Sequence, residues 1–351
     1  MTTNHHKVPT SICLFRLSAI GDATHMVPVV KTLQYHFPKA QVTWVIGKIE
    51  HKLLQGLAGV EFVTFDKAAG WQGIKQLRQK LNDQKFDVLL QMQLSFRANL
   101  VSRFIKAKRR IGFDKTRGKE GHGLAINERI PYLKDCHVLD GFMQFTEYLG
   151  CEKRIMDWHI PVSEQDDKFA HNLIKPNQKN IVISPCSSHD LRNWSVTRYS
   201  QLADWLVATY GARVILTAGP SAKEQNFVAE IEKASHYEVT NIAGKDTLKQ
   251  LLCLLKQADL VISPDSGPLH MAGSVGTPVV GLLAASNYHR SGSYQFPELT
   301  VDKYPEACMK FFNKTVEQVK WGTKTEFPGA MDLISVNDVK EKIEMFFTKH
   351  K

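Results

Sequence analysis

Four places in this sequence carry residues that could do chemistry, and each sits where an apolar run gives way to a turn. The first is Asp22, directly after the small-residue turn Ser18-Ala19-Ile20-Gly21 that closes the run Ile12-Cys13-Leu14-Phe15. A carboxylate beside a glycine that lets the chain bend sharply is a candidate general base. It equally suits a helix N-cap, where it would accept backbone N–H groups. The second place is Ser187-Ser188-His189-Asp190-Leu191-Arg192, two hydroxyls and a guanidinium after the strand-like run 181–184. Arg192 could neutralise a diphosphate bidentately, or be a plain surface arginine. The third is Glu224, just past Ala218-Gly219-Pro220. It could take the hydroxyls of a ribose, or be a solvated first-turn glutamate. The fourth is Asp265-Ser266-Gly267-Pro268-Leu269-His270, after Leu260-Val261-Ile262. Free N–H groups of a helix starting here, with the Ser266 hydroxyl, suit a diphosphate, and His270 would face the same ligand. The other reading makes Asp265 or Ser266 a cap and His270 a core or surface residue.

These groups need elements to hold them. Strand-like runs at 11–17, 41–46, 60–65 and 86–91 alternate with helix-like segments at 22–37, 50–57, 71–81 and 95–105. Pro28 predicts a kink or a late start in the first helix. A short strand at 110–113, a charged glycine-containing loop at 114–123 and a helix at 138–149 complete the first half. The polar region 161–179 reads as the lead-in to a second domain. The alternation then restarts, with strands at 180–185, 213–218, 239–243, 259–263 and 278–284. Helices fall at 197–210, 221–233, 247–257 and 267–275. Ser335 with Asp338 makes a capping box for a last helix, 335–349.

Such alternation builds right-handed βαβ units and parallel sheets. The expected fold is therefore α/β, two Rossmann-like domains facing each other across a cleft. Their expected extents are 1–165 and 166–351, with the last helix free to pack back on the first domain. Ligands collect at the carboxyl ends of parallel strands. All four candidates fall there, Asp22 on the first domain and the rest on the second.

Bulk properties narrow the partners. A chain of 351 residues is comfortable for two domains. The net charge of +10 suits an anionic partner: nucleic acid, a nucleotide or an anionic membrane face. No zinc-finger spacing, RNP-like aromatic motif or helix-turn-helix pattern speaks for nucleic acid. No apolar run is long enough to span a bilayer, and the opening MTTNHHKVPT has no apolar signal core. The six cysteines are scattered without a CxxC pair, as expected of reduced thiols in a cytoplasmic protein. No DxD motif offers to hold a metal. No GxGxxG follows the first strand, which argues against a dinucleotide-dependent dehydrogenase.

LSAIGDATHMVPVVKTL, SSHDLRNW, TAGPSAKE and SPDSGPLHMAGSVGTPVVGLL together match, in order and spacing, the pattern of glycosyltransferase family 9. Over residues 11–294 the chain resembles the ADP-heptose:lipopolysaccharide heptosyltransferases of Gram-negative bacteria. VTWVIGKIEHKLL with VEFVTFDK is most like the heptosyltransferase I branch of the Haemophilus type. The resemblance implies a GT-B fold and an inverting, metal-independent transfer of L-glycero-D-manno-heptose from ADP-heptose to Kdo, with no cofactor. Asp22 would be the base for the acceptor hydroxyl. Arg192 would stand at the donor diphosphate, where the family often has lysine, beside the small hydroxyl residues Ser187 and Ser188. Glu224 would meet the ribose or adenosine. Asp265, Ser266, Gly267 and His270 match the family's Asp-(Thr/Ser)-Gly-x-x-His signature at the phosphates and heptose. The acceptor implied is Kdo-lipid A, with peripheral contact on the anionic cytoplasmic face of the inner membrane. Arg97, Arg103, Lys115 and Arg117, in a basic stretch, would meet it. A non-transferring epimerase-like enzyme and a non-catalytic nucleotide-sugar binder are the alternatives.

Overall fold

The computed structural model describes residues 8–82 and 84–349; residues 1–7, which open the polar N-terminus, lie outside the described residues. The chain divides into two compact units, Met1–Pro161 and Val162–Lys351. The first contains β1 (Ser11–Phe15), α1 (Ile20–His36), β2 (Gln41–Gly47), α2 (Lys48–Leu54), β3 (Val60–Phe65), α3 (Gly70–Leu81), β4 (Lys85–Gln91), α4 (Phe96–Ser102), β5 (Lys106–Gly112), α5 (His122–Ala125), β6 (Glu128–Arg129) and α6 (Val138–Tyr148). Its six strands are parallel in the order β3-β2-β1-β4-β5-β6. Helices cover both faces, so strand interiors read as continuous apolar runs. Ile12, Cys13, Leu14 and Phe15 are wholly buried. From β1 the chain walks to one edge, then returns to β4 and walks to the other. The order reverses beside β1, and in such sheets the crevice at the reversal is where ligands bind.

The second unit contains α7 (Glu164–His171), β7 (Asn180–Ile183), α8 (Val196–Tyr210), β8 (Arg213–Leu216), α9 (Ala222–Ala234), β9 (Thr240–Asn241), α10 (Leu248–Gln257), β10 (Leu260–Pro264), α11 (Gly267–Ser274), β11 (Val279–Leu283), α12 (Tyr288–Ser291), β12 (Val301–Asp302), α13 (Tyr304–Phe312) and α14 (Val336–Lys349). The strands are again parallel, in the order β12-β11-β10-β7-β8-β9. Here the reversal falls between β7 and β10. The loops leaving those two strands carry Arg192 and Asp265.

Three local departures from the sequence reading have physical causes. The first helix does not start late: α1 begins at Ile20, early enough that its first turns precede Pro28, and runs on to His36. The strand expected at 110 starts at Lys106. Its charges disguise it, and neighbouring strands, helices and loops supply partners for three of them. Lys108 Nζ lies 2.7 Å from Asp87, Arg109 donates to both oxygens of Glu128 at 2.8 and 2.7 Å, and Arg110 donates to the carbonyls of Ala125, Ile105 and Ser102 at 2.6–2.7 Å. The polar lead-in hides α7, nucleated by the reciprocal Ser163–Asp166 capping box and packed against α10. The last helix places Val339, Ile343 and Phe347 in the second unit's own core, with Trp194 and Tyr199.

One buried histidine sets a pH prediction. His122 docks on β5 where Gly112 has no side chain; a Cβ there would lie 2.3 Å from its Nε2. Nε2 accepts the Phe113 N–H at 3.0 Å, so Nδ1 carries the proton and donates to Asn99 at 2.9 Å. Burial, reinforced by the Arg129 charge, pulls its pKa down to about 4. The unfolded ring takes a proton near pH 6.5 and the folded ring only near 4. Stability is therefore intact above 6.5 and falls between 6.5 and 4, by up to about 3 kcal/mol. Ring nitrogen NMR should find His122 neutral, as the Nδ1–H tautomer, at pH 6; titration near 6.5 would refute this.

Candidate active site

Asp22 is the third residue of α1 and not its cap. Ala19 occupies the N-cap position, and the Asp22 carboxylate reaches back to the Ala19 N–H at 3.4 Å. The same oxygen, Oδ2, accepts from the guanidinium of Arg16 at the end of β1. Arg16 is itself fixed: it donates to the Met92 carbonyl and lies over the Phe142 ring, 5.0 Å from its centre. Gln93 Oε1 accepts from the N–H groups of Leu17 and Ser18 at 3.0 and 3.3 Å, which holds the loop between strand and helix. Among the described residues none hydrogen-bonds to Oδ1, and the side chain is 26% exposed. One oxygen is anchored and the other is open to a substrate proton, an arrangement that serves a general base. Arg16 carries no motif that marks it in the sequence. The clue available was a charged residue directly after four buried apolar ones.

In the second unit, Trp194 anchors the loop after β7 by donating from Nε1 to the Ile334 carbonyl at 2.9 Å. Ser187 is buried and builds the loop: its hydroxyl donates to the His189 carbonyl at 2.8 Å and accepts the His189 N–H at 3.2 Å. Ser188 stands exposed at the tip. Arg192 points back to the sheet edge. It pairs with Glu326 at 2.6–2.7 Å and approaches Asp265 at 3.6 Å. Asp265, at the end of β10, is the hub. Lys324 Nζ lies 3.0 Å from its Oδ2, the Ser291 hydroxyl 3.3 Å, and His270 Nε2 3.9 Å from its Oδ1. Burial opposes ionisation here, but Lys324, Arg192 and His270 outweigh it and hold the carboxyl well below the usual carboxylate range. Burial pulls the Lys324 pKa down, with Arg192 and Arg290 adding to the effect and Asp265 opposing it.

Ser266 is the N-cap residue of α11, yet its hydroxyl meets Ser263 at 2.9 Å and makes no cap bond. The first-turn N–H groups of α11, starting at Gly267, are therefore not taken by the cap side chain. Beside Asp265, the residue before this cap, stand Arg192 and Lys324, with Glu326 on Arg192. A helix N-terminus with cations beside it can hold a polyphosphate. Glu224 sits in the first turn of α9, beyond the loop that leaves β8, its carboxylate folded over Gly219: a Cβ on that glycine would fall 2.4 Å from Oε2. A Lys223–Asp190 ion pair ties this helix start to the Arg192 loop.

Lys324 and Glu326 escaped the sequence reading because their segment has no periodicity and no motif. What places them is a short antiparallel bridge between Lys324 and Ser286, with Thr325 bonded to the Ala285 carbonyl at 3.0 Å and the Ala284 carbonyl at 2.6 Å. Of the basic residues in the first unit, Arg97 and Arg103 are exposed and donate to the carbonyls of Lys67 and Leu124 at 3.1 and 2.9 Å. Lys115 is exposed. Arg117 turns inward, onto Asp114, Gln144 and the Phe113 ring. Among the described residues no group of three or more His, Cys, Asp or Glu is placed to hold a metal.

Residues 74–321 match the model of glycosyltransferase family 9 (heptosyltransferase). The chain belongs to this family. Among curated relatives of this family 9 glycosyltransferase is the lipopolysaccharide core heptosyltransferase OpsX of Haemophilus influenzae, 40% identical over 95% of this chain and 96% of the relative. Lipopolysaccharide heptosyltransferase 3 of Escherichia coli is 26% identical over 76% and 80%. The fold matches a family 9 glycosyl transferase from Veillonella parvula, with a TM-score of 0.78, 19% identity and 97% of each chain covered. It also matches E. coli heptosyltransferase WaaC, solved with ADP, at a TM-score of 0.72 and 18% identity over 95% and 99%. Two parallel six-stranded sheets in this arrangement are a GT-B type fold.

Proposed function

We propose that this family 9 enzyme moves L-glycero-D-manno-heptose from ADP-heptose to Kdo of the lipopolysaccharide inner core, with inversion and without a metal. The observation that carries the donor half is the buried, ionised Asp265 ringed by Arg192, Lys324 and His270 at the uncapped start of α11. The donor diphosphate takes the α11 first turn and the two cations. Glu224 takes the ribose hydroxyls. Asp22 Oδ1 takes the proton of the acceptor hydroxyl as its oxygen bonds to the anomeric carbon. The bond from that carbon to the phosphate oxygen breaks with its electrons, and ADP leaves. Helix N–H groups and cations aimed at that charge lower the barrier. A single base acting on an attacking hydroxyl, with no covalent intermediate, inverts the anomeric centre.

Kdo-lipid A is the proposed acceptor. The enzyme would work peripherally on the cytoplasmic face of the inner membrane, with the exposed Arg97, Arg103 and Lys115 toward anionic headgroups. No helix among the described residues is long and apolar enough to cross a membrane.

The test incubates the purified protein with ADP-heptose and Kdo-lipid A and follows product by mass. Gain of one heptose on the acceptor, dependent on both substrates, is expected; ADP-heptose turnover without acceptor would favour an epimerase-like enzyme. A finer test is Gly219→Ala. The new methyl displaces the Glu224 carboxylate while the backbone stays regular. KM for ADP-heptose should rise about tenfold, the equivalent of one lost charged hydrogen bond, with kcat and the melting midpoint little changed.

A further inference from the structure

Among the described residues of the first unit the three most exposed large apolar side chains are Trp71, Phe96 and Leu124, at 71%, 67% and 79% exposure. They come from separate segments, at the starts of α3 and α4 and within α5, and so follow the carboxyl ends of three parallel strands, β3, β4 and β5. Hydrogen bonds join them into one region. Arg97, next to Phe96, donates to the Lys67 carbonyl in the turn before Trp71. The Phe96 N–H donates to Glu120 at 2.6 Å, just before α5, and Arg103 donates to the Leu124 carbonyl itself. The charge around them is mainly basic: residues 67–82 and 92–113 contain no Asp or Glu, and the carboxylate of Glu120 is engaged by the Phe96 N–H. Lys75, one helical turn beyond Trp71, is exposed, as are Arg97 and Arg103.

We propose that this rim is a bilayer-docking face, on which Trp71, Phe96 and Leu124 enter the interfacial region of an anionic membrane while Lys75, Arg97 and Arg103 meet its headgroups. Apolar tips with a basic collar fit such a surface: a neutral bilayer would leave the cations unmatched, and water leaves the apolar tips exposed. The same rim carries Asp22, so docking would bring the base to an acceptor whose lipid stays in the bilayer. The inference rests on the proposed lipid-linked acceptor, and it adds the side chains that hold the enzyme there.

The experiment sediments the full-length protein with vesicles of phosphatidylethanolamine and phosphatidylglycerol, or of phosphatidylcholine alone, and measures heptose transfer to Kdo-lipid A in vesicles and to its deacylated, water-soluble form. The triple variant Trp71→Ser, Phe96→Ser, Leu124→Ser should lose about tenfold or more in binding to the anionic vesicles, as removal of three interfacial side chains demands. Its transfer to the soluble acceptor should stay at the wild-type rate, while transfer to the vesicle-borne acceptor falls with binding. Trp71→Phe, a milder change, should abolish the blue shift of tryptophan emission that anionic vesicles induce. Wild-type vesicle binding by the triple variant, an unchanged blue shift in Trp71→Phe, or equal losses on both acceptors would overturn the docking face. Transfer by a wild-type protein that binds no vesicles would sink the docking face alone. Vesicle binding without transfer to either acceptor would sink the proposed reaction and leave the face standing.

Discussion

Replacing Asp22 by alanine should lower kcat by about 10²–10⁴, the usual cost of a lost general base, and leave ADP binding unchanged. The split follows from where the residue is. Asp22 belongs to the first unit, and its contacts are Arg16 and the Ala19 N–H. The groups assigned to ADP are all in the second unit. Steady-state kinetics with Kdo-lipid A, beside calorimetric titration with ADP, would read both quantities. Turnover within about threefold of wild type would remove Asp22 from the chemistry. Loss of the Ala19 cap contact alone costs stability of about 1 kcal/mol and no such factor in rate. Asp22→Asn keeps that contact and loses the proton acceptor, so it should be nearly as slow as the alanine variant.

The second large effect is on stability. Asp265→Ala leaves Lys324 and Arg192 beside a buried site without their shared carboxylate, and should destabilise the second unit by about 3–5 kcal/mol. Lys324→Met should also destabilise, because it leaves a buried carboxylate with one cation fewer. The two losses should not add. Once Asp265 is gone, replacing the lysine by an apolar side chain of similar length relieves an uncompensated charge, so the double variant should be more stable than the sum of the singles. Denaturant unfolding of the four proteins closes the cycle. Additive losses would mean that Lys324 is held by solvent and not by Asp265.

Much of the scaffold was legible in the sequence because hydrophobic periodicity is a local property. The runs that became β1, β2, β3, β4, β7 and β10 are short and apolar enough to read directly, and so are the helices between them. The sequence reads β5 too short because Lys106 through Arg109 look like surface. Only Asp87, Glu128 and a set of backbone carbonyls, brought close by neighbouring elements, make those charges compatible with a sheet. The helix α7 is not visible in the sequence for the opposite reason: its composition is that of a linker, and α10 supplies the packing partner that lets it form.

The candidate site divides in the same way. Asp22, Arg192, Glu224, Asp265 and His270 can be named from sequence because each lies in the loop or first helical turns that follow an apolar run, and the end of a parallel strand is a position chain order reveals. What those residues touch was not readable. Arg16 fixes one oxygen of Asp22, Glu326 holds Arg192, and Lys324 keeps Asp265 charged across a gap of 59 residues. Periodicity marks which residues reach a sheet edge, since it reflects the repeat of one element. Which distant charge stands opposite them depends on how two sheets reverse their strand order and where a late loop is pinned, and that is decided only when the chain has packed.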